Sequence, residues 1–553
     1  MRPADPRHRD PGTADEARPP DGPAGPVGTA SPASAASPAS AADTAGRAGP
    51  GRGRAARLAV ALAPPGLAAA AMAALGLWGL ARDSAMGNDE VATRWAALLS
   101  LRQLAHLLRH VDAVHGLYYL LMHGWMAVGT SPVAMRVPSV LALAGAAAMV
   151  ALIGRRLTGS ALAGLFAGLI MTLPPAISYY AQTARSYPLV FAAVTGLTLL
   201  LLRAVDAERA GPPAGRAARW WAGYAVLIAV SGYLNEMALL VLLAHAATVL
   251  LARGRLRAAA HWAAAAAAGA ALVVPLLLLS SRQDGAVAWI RRPGLPALRV
   301  LLRDYFGVTT LVAVILVACA VIAVLPERGG PWWRRGGLNL PSVALPLLVL
   351  PAAALIAESL VARPYYVDRY VLYGEAGAAL LAGGGLARAG RWLARLARSP
   401  LLGPVPGVAV CLAALLLQLG PQHHVRTTQA RMFDFGSPAR YLAAHARPGD
   451  GALFFSAFFR KARLGYPAQF RDVADFAMAV PPARSGTFNG IDKPLPQISA
   501  LMLSYQRIWV IGRSPSDHLA GVTRQEGAEL RRQFRLAAHQ HFRGMTVTLW
   551  QRQ

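Results

Sequence analysis

Long apolar stretches separated by short arginine clusters constrain this chain more than any other feature. A helix of about 20 residues crosses a hydrocarbon core of about 30 Å. With 55% hydrophobic and only 15% charged residues among 553, a large soluble globule is excluded. The sequence predicts a polytopic α-helical membrane protein, with about eleven spans near 58–80, 137–154, 161–178, 188–202, 220–234, 237–252, 262–280, 308–325, 341–361, 371–387 and 402–420.

The positions of the arginines predict how these spans are oriented. The clusters fall in every second loop, on the same side as the N-terminal segment, at 155–156, 203–219, 253–257, 328–335 and 388–398. The positive-inside rule makes that side cytoplasmic, and an odd number of spans leaves the C-terminus outside the cell membrane. The net charge of +28 is therefore explained by topology, and we expect no nucleic acid partner.

Composition divides the chain into three parts. Residues 1–56 are rich in Pro, Ala, Gly and Ser, and predict a disordered cytoplasmic tail. Residues 57–420 form the transmembrane domain. Residues 421–553 alternate strand-like and helix-like stretches and predict a small extracytoplasmic α/β domain, with strands at 451–456, 507–512 and 545–550 and helices at 437–446 and 523–533.

The first outer loop is predicted to lie on the membrane surface. Residues 91–109 form an amphipathic segment, and the apolar stretch 115–129 is too short to span and carries two histidines. A span there would invert every later loop. Helices in the outer interface therefore fit both segments.

Two adjacent carboxylates, Asp89 and Glu90, follow the first span directly. Carboxylates at a membrane edge are costly unless something binds them, so they are candidates for a general base or a metal-binding acid. Asp89 also fits as the N-cap of the next helix, with Glu90 favoured by the helix dipole. The two interpretations are compatible.

Arginines and tyrosines cluster at two outer membrane edges, in YYAQTARSY (179–187) and YYVDRY (365–370). Each cluster alone is typical of an aromatic belt with an arginine reaching the interface. Two of them on one side favour a phosphate-bearing lipid held between them, because a guanidinium binds phosphate through two parallel hydrogen bonds.

Metal-binding patterns are weak. His106, His110, Asp112 and His115 have spacings that allow a metal site, but packing at the interface explains them as well. The two cysteines lie inside apolar stretches and define no disulfide or metal site. We assign no metal ligands and leave a divalent cation open as a cofactor.

The order of these motifs resembles the GT-C class of membrane glycosyltransferases. An Asp-Glu pair after the first span is followed by GLYYLLMHGW, MRVPSVLA, GRRL, YYAQTARSY and a late DRY, over roughly 58–390. The pattern is most similar to the family 39, protein O-mannosyltransferase-like and aminoarabinose-transferase-like group, especially its actinobacterial members. The resemblance implies a GT-C-like fold that transfers a sugar, with mannose or another hexose expected, from a polyprenyl-phosphate donor on the outer membrane face.

The resemblance also implies roles for individual residues. Asp89 would be the base that activates an acceptor hydroxyl on a glycan, lipid or protein, in an inverting reaction. Glu90, the second expected catalytic residue, would help to shape the site or hold the donor phosphate. The expected donor-phosphate and lipid-binding residues are Arg136, Arg185, Tyr187, Arg369 and Tyr370. The expected acceptor or cleft residues are Asp112, His115, Tyr180 and Gln182.

Two other functional classes stay open from the sequence. A transporter would also have many spans, but it would be expected to carry charges near the middle of several spans and internal repeats, which we do not detect. A non-catalytic scaffold for cell-envelope assembly would use the C-terminal domain to bind a partner and would tolerate loss of Asp89.

Overall fold

The structure is a computed structural model, in which residues Arg57–Gln553 form one compact unit. Of the predicted tail 1–56, all but the last seven residues lie outside the described part of the chain, and those seven begin the first helix. The described residues are 50–81, 85–210, 215–252, 256–326, 331–334, 337–513 and 522–553.

In the described part of the chain, all regular elements between Pro50 and His424 are helices. Each apolar stretch of the sequence forms a helix or a bent pair of helices, including the stretches that contain Pro64 and Pro65 or the glycines at 383–385. The helices are α1 (Pro50–Leu77), α2 (Asn88–Leu98), α3 (Leu101–His110), α4 (Gly116–Trp125), α5 (Pro132–Thr158), α6 (Ala161–Thr172), α7 (Pro175–Ala181), α8 (Tyr187–Arg209), α9 (Gly215–Leu234), α10 (Val241–Leu251), α11 (Leu256–Ala271), α12 (Val274–Ser280), α13 (Leu295–Phe306), α14 (Thr310–Val324), α15 (Leu340–Val361), α16 (Glu375–Leu396), α17 (Val405–Leu417) and α18 (Leu419–His424).

Many of these helices fit a membrane. Within the described ranges, α5, α8, α15 and the segment Pro400–Leu417 are each long and apolar enough to cross one. Three pairs bent at a short break bring the number to seven: α6 with α7 (70°), α11 with α12 (46°) and α13 with α14 (73°). The predicted eleven spans also include α1, α9, α10 and α16, whose crossing stays a prediction.

Helix α16 lies at the centre of the bundle and packs against α6, α14 and α15. Its close approach to these neighbours depends on glycine. A methyl group added to Gly383 or Gly385 would overlap the backbone of Ala167 or Cys319. Small residues let helices approach closely in a membrane, where apolar packing replaces the hydrophobic effect as the source of helix association.

The segment predicted to form the first outer loop differs in detail from the prediction. The amphipathic segment 91–109 is broken into α2 and α3, because Ser100 caps α3 by accepting a hydrogen bond from the Gln103 amide. Within the apolar stretch 115–129, α4 has only ten residues. At about 1.5 Å per residue this helix is too short to cross a hydrocarbon core.

The C-terminal part is the small α/β region that the sequence predicts. Its main sheet has the order β2-β1-β5-β7-β6, with β1 parallel to both β2 and β5, and the remaining pairs antiparallel. The elements are α19 (Gly436–His445), β1 (Asp450–Phe454), α20 (Lys461–Gly465), β2 (Val473–Asp475), β3 (Met478–Val480), α21 (Pro482–Ser485), β4 (Ile491–Asp492), α22 (Leu495–Met502), β5 (Arg507–Gly512), α23 (Val522–Gln533), β6 (Phe534–Phe542) and β7 (Met545–Arg552).

The central strands β1, β5 and β7 are buried on both faces, whereas the edge strand β6 is mostly exposed. On β1, Phe454 belongs to the large core shared with the helices of the membrane domain, whereas Leu453 belongs to a separate core with α22 and α23. Successive side chains of a strand point to opposite faces. The C-terminal region is thus attached to the helical body through one face of its sheet.

The close contact of α16 with α14 predicts a specific sensitivity. Gly385→Ala should lower the free energy of unfolding by about 1–3 kcal/mol or more, the usual cost of overpacking. The Cys319 carbonyl that obstructs the added methyl group belongs to the backbone and cannot rotate away. Thermal unfolding of the purified protein in detergent measures this. Gly145→Ala on α5 is the matched control, since its added methyl group meets no atom within 4 Å. Equal melting temperatures for the two variants would contradict this packing.

Candidate functional site

A buried carboxylate, Glu90, joins four segments of the chain. Its oxygens accept hydrogen bonds from Arg136 Nε at 2.7 Å and Nη2 at 2.9 Å, and from Arg431 Nη1 at 3.2 Å. The backbone amides of Ala184 and Gly87 each donate at 3.2 Å. Burial raises the pKa of Glu90, but Arg136 and Arg431 outweigh it and hold the pKa below its usual value. Glu90 is therefore an ionised anchor enclosed by protein groups.

Asp89 has different surroundings from its neighbour. Its side chain is half-buried and accepts one hydrogen bond, from Asn88 Nδ2 to Oδ1 at 3.2 Å. Burial raises the pKa of Asp89, but the positive charges of Arg185 and Arg369 more than offset it, so the pKa is lowered. Asp89 is thus an ionised carboxylate whose charge is balanced by arginines that do not enclose it.

The alternative interpretation of Asp89 as a helix N-cap is wrong. The N-cap of α2 is Gly87, and the Glu90 side chain reaches back to accept from the Gly87 amide. Asp89 lies one residue inside the helix, in its first turn. Its carboxylate is consequently not used to cap the backbone.

Asp112 and Arg185 form a second charged group beside Asp89. Tyr119 donates its hydroxyl hydrogen to Asp112 Oδ2 at 2.7 Å, and Arg185 Nη1 donates to the Tyr119 oxygen at 2.8 Å. Arg185 Nη2 lies 3.5 Å from the same Asp112 oxygen. The Arg185 Nε–H is buried and makes no hydrogen bond within the described part of the chain. The described part of the chain therefore leaves one buried donor of this guanidinium without a partner.

The backbone at Asp112 is strained, with φ of 57° in the left-handed region. Asp tolerates this conformation better than most residues, but it still costs free energy, and such strain collects at functional sites. The strained turn directs the Asp112 carboxylate toward Tyr119 and Arg185.

Arg369 brings the two arginine-tyrosine clusters into contact. Its Nε donates to the Tyr187 hydroxyl at 3.1 Å. Its guanidinium carbon lies 5.6 Å from the ring centre of Tyr187, 5.7 Å from that of Tyr370 and 5.5 Å from that of Trp289. Aromatic faces stabilise a guanidinium without using its hydrogen-bond donors. The Nη groups of Arg369 accordingly make no hydrogen bond to any residue that the structure describes.

The remaining predicted site residues are placed as follows. His115 contacts the Ser186 hydroxyl through Nδ1 at 3.1 Å, and burial lowers its pKa to about 3, so it is neutral at physiological pH. Tyr180 is buried against Tyr187, with ring centres 5.8 Å apart. The Gln182 side chain binds the backbone at the end of α1, where its amide nitrogen donates to the carbonyl oxygens of Gly76 and Trp78.

Lys461 also lies at this site, although it comes from the C-terminal α/β region. Its Nζ donates to Asn88 Oδ1 at 2.6 Å and lies 4.4 Å from the ring centre of Phe458. Sequence reasoning missed this residue. A signal existed, because Lys461 and Lys493 are the only lysines in an otherwise arginine-rich chain.

The described residues contain no cluster of side chains that could bind a metal ion. Across the described ranges, no three His, Cys, Asp or Glu side chains come together in a way that could hold an ion. His106 contacts the Arg484 carbonyl in the C-terminal region, and His110 contacts the His106 carbonyl one turn earlier in α3, so each ring has a protein partner.

A small cavity lies beside Glu90 and Arg136. Positive charge dominates it, but its arginines are bound by protein groups: Arg426 donates to carbonyl oxygens of Leu75 and Trp78. The cavity is lined by Gly79, Arg136, Tyr179, Gln182, Thr183, Val425, Arg426 and Arg431.

Comparison with solved structures places this arrangement in a known fold. ArnT from Cupriavidus metallidurans, bound to undecaprenyl phosphate, superposes with a TM-score of 0.55 at 14% identity, over 87% of this chain and 97% of ArnT. Its apo state gives the same TM-score and identity over 90% and 98%. The chain has the GT-C fold.

Other comparisons add less. An Archaeoglobus fulgidus oligosaccharyltransferase tethered to an acceptor peptide aligns with a TM-score of 0.43 at 11% identity, over 81% of this chain and 68% of that one. No protein-family model and no curated protein sequence matches the chain. The GT-C fold is consequently recognised from the helical arrangement, and it agrees with the class that the motif order suggests.

The contrast between the two adjacent carboxylates predicts different effects on stability. Glu90→Gln should destabilise the protein by about 3–5 kcal/mol, because it leaves Arg136 buried without its partner. Asp89→Asn should lower the free energy of unfolding much less, since the Asp89 side chain is half-buried and forms no ion pair within the described residues. Thermal unfolding of both variants in detergent compares them directly. If Asp89→Asn lowers the melting temperature as much as Glu90→Gln, Glu90 is not the anchor of this site.

Proposed function

We propose that this protein transfers a sugar from a polyprenyl-phosphate donor to an acceptor hydroxyl, at the outer face of the cell membrane. The observation that carries the proposal is the ionised Asp89 beside Arg185 and Arg369, in a GT-C fold. A carboxylate beside guanidinium groups fits a reaction in which an acceptor hydroxyl loses a proton and a donor phosphate leaves.

The donor phosphate is proposed to bind between Arg185 and Arg369. The Nη groups of Arg369 and the Nε–H of Arg185 are donors that make no hydrogen bond to the described residues. Guanidinium groups in a partly desolvated cleft bind phosphate more strongly than in water. ArnT, whose fold is similar, is itself known bound to undecaprenyl phosphate.

Asp89 is proposed to act as the general base in a single inverting displacement. It removes the proton from the acceptor hydroxyl while that oxygen forms a bond to the anomeric carbon. The bond between the anomeric carbon and the donor phosphate oxygen breaks, and its electron pair leaves with the lipid phosphate. Arg185 and Arg369 stabilise the negative charge that develops on this leaving group.

Glu90 and Arg136 are proposed to shape the site without contacting substrate. Their side chains are 4% and 2% exposed, and each holds the other by two hydrogen bonds. Their ion pair fixes the start of α2, and with it the position of Asp89. Arg136 was expected to bind donor phosphate, but in this proposal that role falls to Arg185 and Arg369 alone.

Finer features of the reaction extend the same proposal. Mannose or another hexose is the sugar we favour, and a glycan, lipid or protein hydroxyl is the acceptor. A lipid-linked donor fits an outward-facing site, because nucleotide sugars are kept inside the cell. This orientation requires a cytoplasmic N-terminus and an extracytoplasmic C-terminal domain.

The role of Asp89 is tested by sugar transfer. Asp89→Asn should lower the transfer of radiolabelled sugar from polyprenyl-phosphate-mannose by about 10²–10⁴-fold, the usual contribution of a general base. Purified protein with a membrane extract as the acceptor source gives the rate. Asp472→Asn, an exposed carboxylate with the same chemical change, should transfer at the wild-type rate. Near-full transfer by Asp89→Asn would rule out this base.

The donor site is tested separately. Arg369→Ala should raise the donor KM and weaken inhibition by added undecaprenyl phosphate, by about tenfold or more, because a charged hydrogen bond contributes about 1.5–3 kcal/mol. Arg109→Ala at the exposed end of α3 is the control and should leave both unchanged. An unaltered inhibition constant in Arg369→Ala would remove this arginine from the phosphate site.

A further inference from the structure

We propose that Lys461, carried by the C-terminal domain, is a positioning residue for Asp89 and acts through Asn88. The inference rests on the proposed function, since it concerns the group that we propose as the base. It also gives the C-terminal domain a part in the reaction: the domain completes a site that the membrane helices build only in part.

Two consecutive hydrogen bonds connect the domain to Asp89. Lys461 Nζ donates to Asn88 Oδ1 at 2.6 Å, and Asn88 Nδ2 donates to Asp89 Oδ1 at 3.2 Å. The end groups fix which way the amide points. An ammonium group can only donate and an ionised carboxylate can only accept, so the amide oxygen must face Lys461 and the amide nitrogen must face Asp89.

The contact between the two domains holds this chain of hydrogen bonds in place. Helix α20 packs against α2, and Arg94 on α2 donates to the Gly465 carbonyl at 3.4 Å. The Met86 amide donates to the Tyr466 hydroxyl at 2.8 Å, one residue after α20 ends. The segments on both sides of Lys461 and Asn88 are thus fixed to each other.

The turn that delivers Lys461 is itself strained. Ser456 follows β1 and has φ of 74°, in the left-handed region that a serine rarely adopts. β1 is flanked by the parallel strands β2 and β5, and ligands of open α/β sheets bind beyond the carboxyl ends of such strands. Lys461 lies five residues beyond Ser456 along this same edge.

A purely structural role explains the other lysine but not this one. Lys493 donates to the carbonyl oxygens of Phe476 and Met478, inside its own domain. Lys461 instead donates to Asn88 across the chain, and the charges of Asp112, Asp89 and Arg185 act on its ammonium group. The other charged residues of α2 are directed elsewhere: Glu90 toward Arg136 and Arg431, and Arg94 toward the Gly465 carbonyl.

The charge of Lys461 should give the reaction a pH dependence. Burial lowers the pKa of Lys461 to about 8, with Asp112 and Asp89 opposing the shift and Arg185 adding to it. The ammonium group therefore loses its proton as the pH rises through about 8, and its donated hydrogen bond to Asn88 weakens. The transfer rate should fall over this range. An arginine stays protonated, so Lys461→Arg should remove the decline.

Three variants of the full chain test the proposal by transfer kinetics. Lys461→Met should lower kcat by about 100-fold, the effect of a misplaced reacting group, with a donor KM within about threefold of wild type. Lys461→Arg should recover most of kcat and show no decline near pH 8. Lys493→Arg is the matched control and should keep both the rate and the pH profile of the wild type.

Two results would overturn the proposal. One is a kcat of Lys461→Met within about threefold of wild type. The other is an equal loss of kcat and of melting temperature in Lys461→Met and Lys461→Arg, which is the behaviour of a residue that only supports the fold.

A second measurement needs no transfer activity. Reductive methylation with ¹³C-formaldehyde labels both lysines, and NMR follows the titration of each. Asp89→Asn should lower the pKa of Lys461, because the Asp89 charge favours the ammonium, and leave Lys493 unchanged. An unmoved Lys461 would overturn the inference. If the wild type transfers no sugar from any donor, the proposed function fails, and this titration still decides whether Lys461 and Asp89 are coupled.

Discussion

The buried ion pair between Glu90 and Arg136 is the interaction on which the site depends. Glu90 also binds Arg431 and two backbone amides, so one carboxylate joins α2, α5, the chain before α8 and the start of the C-terminal region. A buried charge is tolerated only when it is paired and hydrogen-bonded. Loss of any partner would leave the others uncompensated, and for this reason the segments around the site are held as one unit.

Asp89, the neighbouring carboxylate, has far fewer protein hydrogen bonds than Glu90. Asp89 is the preceding residue, but from the described part of the chain it accepts a single hydrogen bond, and the arginines whose charges act on it keep donors without a partner there. Because Asp89 directly follows Asn88 and precedes Glu90 in α2, the enclosed Glu90 carboxylate also fixes the backbone position of Asp89, the residue that we propose as the base. Arginine charges keep Asp89 ionised, so a proton acceptor is present across the physiological pH range.

Much of the fold could be predicted from the sequence, because it depends on local patterns. Apolar length predicts the helices, and apolar runs predict β1, β5 and β7. β6 was missed, since its exposed sequence FRLAAHQHF lacks an alternating pattern. In the site, the two tyrosine-arginine clusters were recognised by type, but the enclosure of Arg136 and the arrival of Lys461 were not. Both depend on contacts between residues 46 and 373 positions apart, which no local pattern encodes.

We propose that a lipid phosphate binds between Arg185 and Arg369, beside Asp89. A cryo-electron-microscopy structure of the protein in lipid nanodiscs with undecaprenyl phosphate tests it most directly. We predict density for the phosphate within hydrogen-bond distance of the Arg369 Nη groups and the Arg185 Nε, with Asp89 open toward the position of the anomeric carbon. Phosphate density in the cavity beside Arg426 and Arg431, with Arg369 still packed only against its aromatic rings, would contradict the account.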